Sequence, residues 1–296
     1  YLKDANKTRK ELRQDAEKEA REAGRPIEYA SFEEMRAEDN EEDPYLLFTV
    51  TDASGEVVRR LKTSPSTGLN RIAWDLRYPP ATPVDLSGPG QPNPFASAPA
   101  GPMVAPGTYR VALSKVVDGV PATLTEPVAF NVVGLNNAVL AAADRDALLE
   151  FQLEAGALQR DVRGAARRLA EASGRMPDIK EAIRLTAALP ESVLADARAL
   201  EARMAEISIA LNGDRSVARR QFETPPSITG RVGGVVGASY GSTGAPSPSQ
   251  REQLRIVRES FRSAEASIDA VISDLEALES RLAAAGAPYT RGRRGG

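Results

Sequence analysis

The sequence predicts an α+β chain of two domains, a β-sandwich followed by an antiparallel three-helix bundle, with a charged helix ahead of both. Two observations carry this. The hydrophobic period changes from helical to two at Tyr45 and back to helical after Gly134, and three long heptad seams fill the second half. The length of 296 residues agrees, because a single hydrophobic core stops growing near this size.

Residues 1–44 read as a charged helical linker. Lys, Arg, Glu and Asp are mixed from Lys3 to Glu22, and Tyr1, Ala5, Leu12, Ala16 and Ala20 give only a thin apolar stripe, as on a surface helix. Gly24 and Pro26 interrupt it. Ser31 followed by Glu34 then has the spacing of a capping box, predicting a short acidic helix up to Asp43.

Residues 45–134 alternate. Leu46, Phe48 and Val50 share one face, Asp52-Ala53-Ser54-Gly55 supplies a turn, and Val57, Arg59 and Leu61 follow, predicting a hairpin. A third run places Ile72, Trp74 and Leu76 together, with Trp74 expected in the core. A fourth places Tyr109, Val111 and Leu113 together, and Asp118-Gly119 returns the chain toward Val128, Phe130 and Val132. Short strands with alternating faces over roughly 90 residues match an Ig-like antiparallel sandwich. Its long insertion, 79–106, is rich in Pro, Gly, Ser and Ala, and loops of that length usually work or are disordered.

Residues 135–296 carry the seams. The first runs Leu148, Phe151, Ala155, Leu158, Val162, Ala165, Leu169 and Ala172, with Asp144 as N-cap. The second runs Val193, Ala197, Leu200, Met204, Ile207 and Leu211 and ends at Asn212-Gly213; Pro190 starts it, or kinks a longer helix begun near Pro177. The third runs from Leu254 to Ala285, opened by Ser247-Pro248 with Gln250 in capping-box position, and closed by Gly286 and Pro288. Each large side chain left exposed forgoes about 1.5–3 kcal/mol, so the seams are expected to close on one another. Between the second and third lies a Gly-rich crossover, 213–246, flanked by Arg215, Arg219, Arg220 and Arg231, with a basic tail after the last helix. It lacks a Gly-Lys-Ser/Thr ending and a preceding buried strand, so a packed crossover loop is expected rather than a phosphate cradle.

Composition excludes much chemistry. The sequence holds no cysteine and no histidine, which removes zinc fingers, thiolate nucleophiles and Ser-His-Asp triads. The 41 Asp and Glu residues offer carboxylate pairs but no motif that selects one. A formal net charge of −3 points to neither nucleic acid nor an acidic membrane surface as partner. No run reaches the ~18 apolar residues of a membrane span. The start at Tyr1, without Met or a signal pattern, is expected of part of a longer product.

Three runs carry a family resemblance: Tyr45-Leu46-Leu47-Phe48-Thr49-Val50, Gly68-Leu69-Asn70-Arg71-Ile72-Ala73-Trp74-Asp75-Leu76-Arg77-Tyr78-Pro79, and Ala105-Pro106-Gly107-Thr108-Tyr109-Arg110-Val111. Together they resemble the C-terminal region of large secreted bacterial proteins with an N-terminal sortilin-like β-propeller of BNR repeats, often labelled glycosyl hydrolases. The Trp-Asp and Pro-Gly-Thr-Tyr elements are also similar to the Ig-like domain of flagellar hook-capping proteins. The likeness extends over nearly the whole chain. It implies export to the periplasm or beyond, and it places any carbohydrate chemistry in the propeller, so no catalytic residue transfers here.

The expected function is therefore a non-catalytic module, without cofactor or metal, that scaffolds or docks within a cell-envelope assembly. The expected partners are protein: a β-propeller of the same product, or a respiratory or photosynthetic membrane complex attended from the periplasmic side. An accessory region of a glycoside hydrolase or a carbohydrate-binding protein is the alternative. Candidate contact residues are Pro89, Pro92, Pro94, Phe95, Pro99 and Met103 in the long loop, and Arg215, Arg219, Arg220, Arg231 and Tyr240 in the crossover; the charged N-terminal helix is the third candidate contact surface.

Overall fold

The computed structural model describes residues 1–3, 7–84, 99–135 and 142–293. The protein is α+β, with four strands in one antiparallel sheet and seven helices among the described residues. It divides into two compact units, one of Tyr1–Pro79 with Met103–Asn137, the other of Pro80–Pro102 with Ala138–Gly296.

In the first unit, α1 (Arg9–Glu22) and α2 (Phe32–Asp39) precede the strands β1 (Tyr45–Thr51), β2 (Val57–Thr63), β3 (Gly107–Val117) and β4 (Val120–Val132), ordered β2-β1-β3-β4. Phe48 pairs with Leu61 on one side and Leu113 on the other, so the alternation of β1 continues across three strands. Val50, Val58, Val104 and Tyr109 are buried together, with Trp74, Leu76, Tyr78 and Phe130 packed against them. Trp74 meets Tyr109 and Phe130 edge-on at 5.9 and 6.2 Å, a favoured aromatic geometry.

Two expectations change here. The Ile72–Leu76 run alternates but is not a strand. Leu76 takes a φ of 57°, the Asp75 carboxylate accepts from the Arg77 N–H at 3.1 Å, and the Trp74 indole N–H donates to the Arg77 carbonyl at 3.0 Å. These local bonds turn the backbone out of an extended ladder. Conversely, β4 begins at Val120 and runs through Pro121 and Pro127. Proline is tolerated because β4 is an edge strand, and Glu126 and Pro127 fall where the register with β3 shifts.

In the second unit, α3 (Arg145–Leu185), α4 (Ser192–Asn212), α6 (Ile228–Tyr240) and α7 (Pro248–Ala284) share an apolar core, and α5 (Arg215–Ala218) is a single turn. Val162, Met176, Ile179, Val193, Leu211, Ile268, Leu275 and Leu282 are wholly enclosed. Asp144 caps α3, and Ser247 with Gln250 forms the capping box of α7. Pro177 neither starts nor breaks a helix. It lies inside α3, where its missing N–H and ring cost about 3 kcal/mol, outweighed by burial of Ala172 and Met176 before it and Ile179 and Ile183 after it.

The Gly-rich crossover is also not a loop throughout, since α6 occupies its centre. Each glycine costs about 1 kcal/mol in a helix. Ile228, Val232, Val235 and Val236 recur at helical spacing and are buried, while Ser227 caps the start by accepting from the Gly230 N–H at 3.1 Å. Burial overrides propensity.

Candidate functional site

The α1–α2 pair is built almost entirely by polar local bonds. At α1 the Thr8 hydroxyl accepts from the Glu11 N–H, and the Glu11 carboxylate accepts from the Thr8 N–H at 2.8 Å; Ser31 and Glu34 repeat the exchange at α2. Gly24, at φ 66°, ends α1. Arg13 then ties the helices together: its Nε and Nη2 donate to the two oxygens of Glu38 at 2.7 and 2.9 Å, while Nη1 donates to Glu17 at 2.6 Å. A guanidinium fork on a carboxylate fixes orientation as well as distance. Arg9 anchors the start of α1, donating from its backbone to Glu41 at 2.6 Å and from its side chain to Asp118 at 2.8 Å.

Neither helix buries a residue. Between them and the 25–30 connection lies a groove of about 990 Å³, floored by Leu12, Ala16, Ala20, Ile27 and Ala37. Leu12 and Tyr29 in its lining are 56% and 92% exposed, and Phe32 at the start of α2 is 81% exposed. Hydrogen bonds from Arg13 hold the Glu38 carboxyl below the usual carboxylate range, and the Ser31 N–H and hydroxyl do the same for Glu34. The two glutamates raise Arg13 in turn. The groove lining thus combines apolar side chains with charged ones that are ionised at neutral pH.

The described residues among those singled out from sequence are divided between the two units. Pro89, Pro92, Pro94 and Phe95 lie outside the described residues. Pro99 is exposed in the second unit, whereas Met103 bridges Arg77 in the first. Arg215, Arg219 and Arg220 are exposed on and after α5, near the 67% exposed Phe222; Arg220 donates to the Ser216 carbonyl at 2.7 Å. Arg231 points elsewhere, to the Pro226 carbonyl and Gln253, beside a second groove of about 590 Å³ between α4, α6 and α7. Tyr240, at the far end of α6, is a packing residue, half-buried against Phe151, Val236 and Leu254. Burial raises its hydroxyl pKa.

The charged N-terminal helix was expected to be a contact surface, but the α1–α2 groove beside it was not foreseen. Its only sequence trace is the Leu12, Ala16, Ala20 stripe together with the Ser31 cap; the Arg13–Glu38 bridge that shapes it spans 25 residues. Among the described residues no group of three or more Asp or Glu is placed to hold a metal ion, and no helix is long and apolar enough to cross a membrane. No family model, no curated protein and no solved structure matches the chain.

Proposed function

We propose that the protein is a non-catalytic interaction module that docks within a larger assembly, with the α1–α2 pair as its working face. The observation that carries this is a pair of helices, 14 and 8 residues long, in which no residue is buried and the covered groups include the charged Arg13 and Glu38. Helices this short are marginal alone and normally gain their stability from packing an apolar face. Leu12, Phe32 and Met35 remain exposed, and enclosing each fully would contribute about 1.5–3 kcal/mol. A docked partner supplies that burial.

The rest of the chain suits a rigid mount. We read the sheet as part of an Ig-like sandwich: the Tyr109 hydroxyl donates to the Ala105 carbonyl at 2.7 Å, the backward bond of a tyrosine corner, and Trp74 packs beside it. We read α3, α4 and α7 as an antiparallel three-helix bundle with α6 wedged along it. Ion pairs support that register, among them Lys180–Glu201 at 2.7 Å, Arg203–Asp274 at 2.6 Å and Arg168–Asp269 at 3.0 Å. Following the resemblance to secreted propeller proteins, we propose that the module works outside the bacterial cytoplasm, against a propeller or an envelope complex.

A photo-cross-linking amino acid in place of Leu12, expressed in the native host, tests the reading. The expected result is one discrete heteromeric adduct, absent when the cross-linker replaces exposed Leu185 on α3. Equal labelling from both positions, or none from either, would refute it.

A further inference from the structure

Resting on that reading, we infer that the α1–α2 groove takes a basic amphipathic helix from a partner protein. Three features specify the occupant. The floor steps Leu12, Ala16, Ala20, one residue per turn along α1, and two of the three are alanine. A row of small residues lets another helix approach to the 8–10 Å axis separation of ordinary helix packing, with larger side chains supplied from the incoming side. The groove follows the 14 residues of α1, about 21 Å, enough for roughly four turns of a partner helix.

Charge selects the partner's polar face. Residues 7–43 contain thirteen acidic and eight basic side chains, a net of −5, in a chain whose total is only −3. Three arginines and four glutamates line the groove: Arg13 pairs with Glu17 and Glu38, Arg9 with Asp118, and Arg25 with Glu19 at 3.5 Å, which leaves Glu28 and Glu34 to face a ligand. A helix with lysine or arginine flanking an apolar stripe meets complementary charge at Glu28 and Glu34, as in helix-in-groove recognition. A second copy does not suit this face, because a two-fold pairing would bring −5 against −5.

The test uses the full chain and a synthetic helical peptide of about 18 residues, with leucine at heptad a and d and lysine elsewhere, followed by fluorescence anisotropy at physiological salt. A glutamate-for-lysine peptide is the control. The lysine peptide is expected to bind at least ~10-fold more tightly than the control. Ala16→Glu/Ala20→Glu is expected to weaken binding ~10-fold or more, the worth of one buried leucine anchor, although it makes the surface more negative. Ala16→Gln/Ala20→Gln, which adds bulk without charge, is expected to give the same loss with an unchanged circular dichroism spectrum. Undiminished binding by the glutamate variant would reduce the effect to long-range attraction and overturn the inference, as would self-association that the same variant abolishes. A heteromeric adduct from position 12 without lysine-peptide binding would overturn the basic helix alone and leave the interaction reading in place; absence of both would overturn both.

Discussion

Replacing Gly156 by alanine sets two effects of known size against each other. Gly156 lies inside α3, and alanine in a helix interior is more favourable than glycine by about 0.5–1 kcal/mol. A methyl group there would stand 2.2 Å from the Tyr240 hydroxyl oxygen, so that group must retreat by more than 1 Å to reach the ~3.5 Å of ordinary contact. Overpacking of this kind costs about 1–3 kcal/mol. Tyr240 is half-buried and has some freedom to turn outward, which sets the expected net loss for Gly156→Ala at about 0.5–2 kcal/mol. Two controls lie on the same helix: Gly164 and Gly174 have nothing within 4 Å of an added methyl, and alanine at either is expected to stabilise by about 0.5–1 kcal/mol. In a Tyr240→Phe background the clashing oxygen is gone and the ring carbon lies at 3.5 Å, so Gly156→Ala should become stabilising there too. Urea unfolding followed by helical circular dichroism measures all four. A Gly156→Ala variant as stabilising as Gly164→Ala in the wild-type background would refute the packing of α6 on α3.

Other predictions address the two cores and the helix pair. Ile268→Ala, at a fully enclosed position of α7, should destabilise the second unit by about 2–5 kcal/mol in the same unfolding assay; a loss under 1 kcal/mol would mean the seam is not packed as described. Tyr109→Phe removes the bond to the Ala105 carbonyl and should cost about 0.5–1.5 kcal/mol, read from thermal unfolding by near-ultraviolet circular dichroism, with no change contradicting the assigned bond. Glu34 and Glu38 have folded-state pKa values below their ordinary range. Their stabilisation of α2 is thus fully present above the ordinary glutamate value of about 4.3 and is lost as pH falls below it through the lowered values. Protection of α2 amides, measured against their intrinsic exchange rate at each pH, should fall across that acid window, and Glu38→Gln should blunt the change; protection that persists unchanged through it would contradict the Arg13 bridge.

The seams were the most legible part of the fold, because a heptad pattern states directly which residues leave water. Leu254, Val257, Phe261, Ile268, Val271, Leu275 and Leu282 all lie in the core of the second unit. Local signals misled where a tertiary term was larger. Glycines at 230, 233, 234 and 237 concealed α6, although Val232, Val235 and Val236 already stood at helical spacing. Pro121 and Pro127 hid the first half of β4, whose edge position removes the penalty that proline carries in a central strand. Trp74 packs half-buried against the core, and does so from a turn, since alternation does not reveal that Leu76 adopts a left-handed conformation. For the candidate site, loop composition drew attention to the crossover arginines and Tyr240, whereas the groove depends on a guanidinium meeting a carboxylate 25 residues away, which no local pattern encodes.

On the proposed function, α1 and α2 await a partner. Hydrogen–deuterium exchange of the full chain, alone and in its native assembly, measures this most directly. Isolated, the amides of Arg9–Glu22 and Phe32–Asp39 should exchange far faster than those of α7, since no buried side chain holds them. In the assembly they should slow by about 10- to 100-fold, as burial of one or two apolar anchors would produce. Protection already matching α7 in the isolated protein, or no slowing in the assembly, would contradict the account.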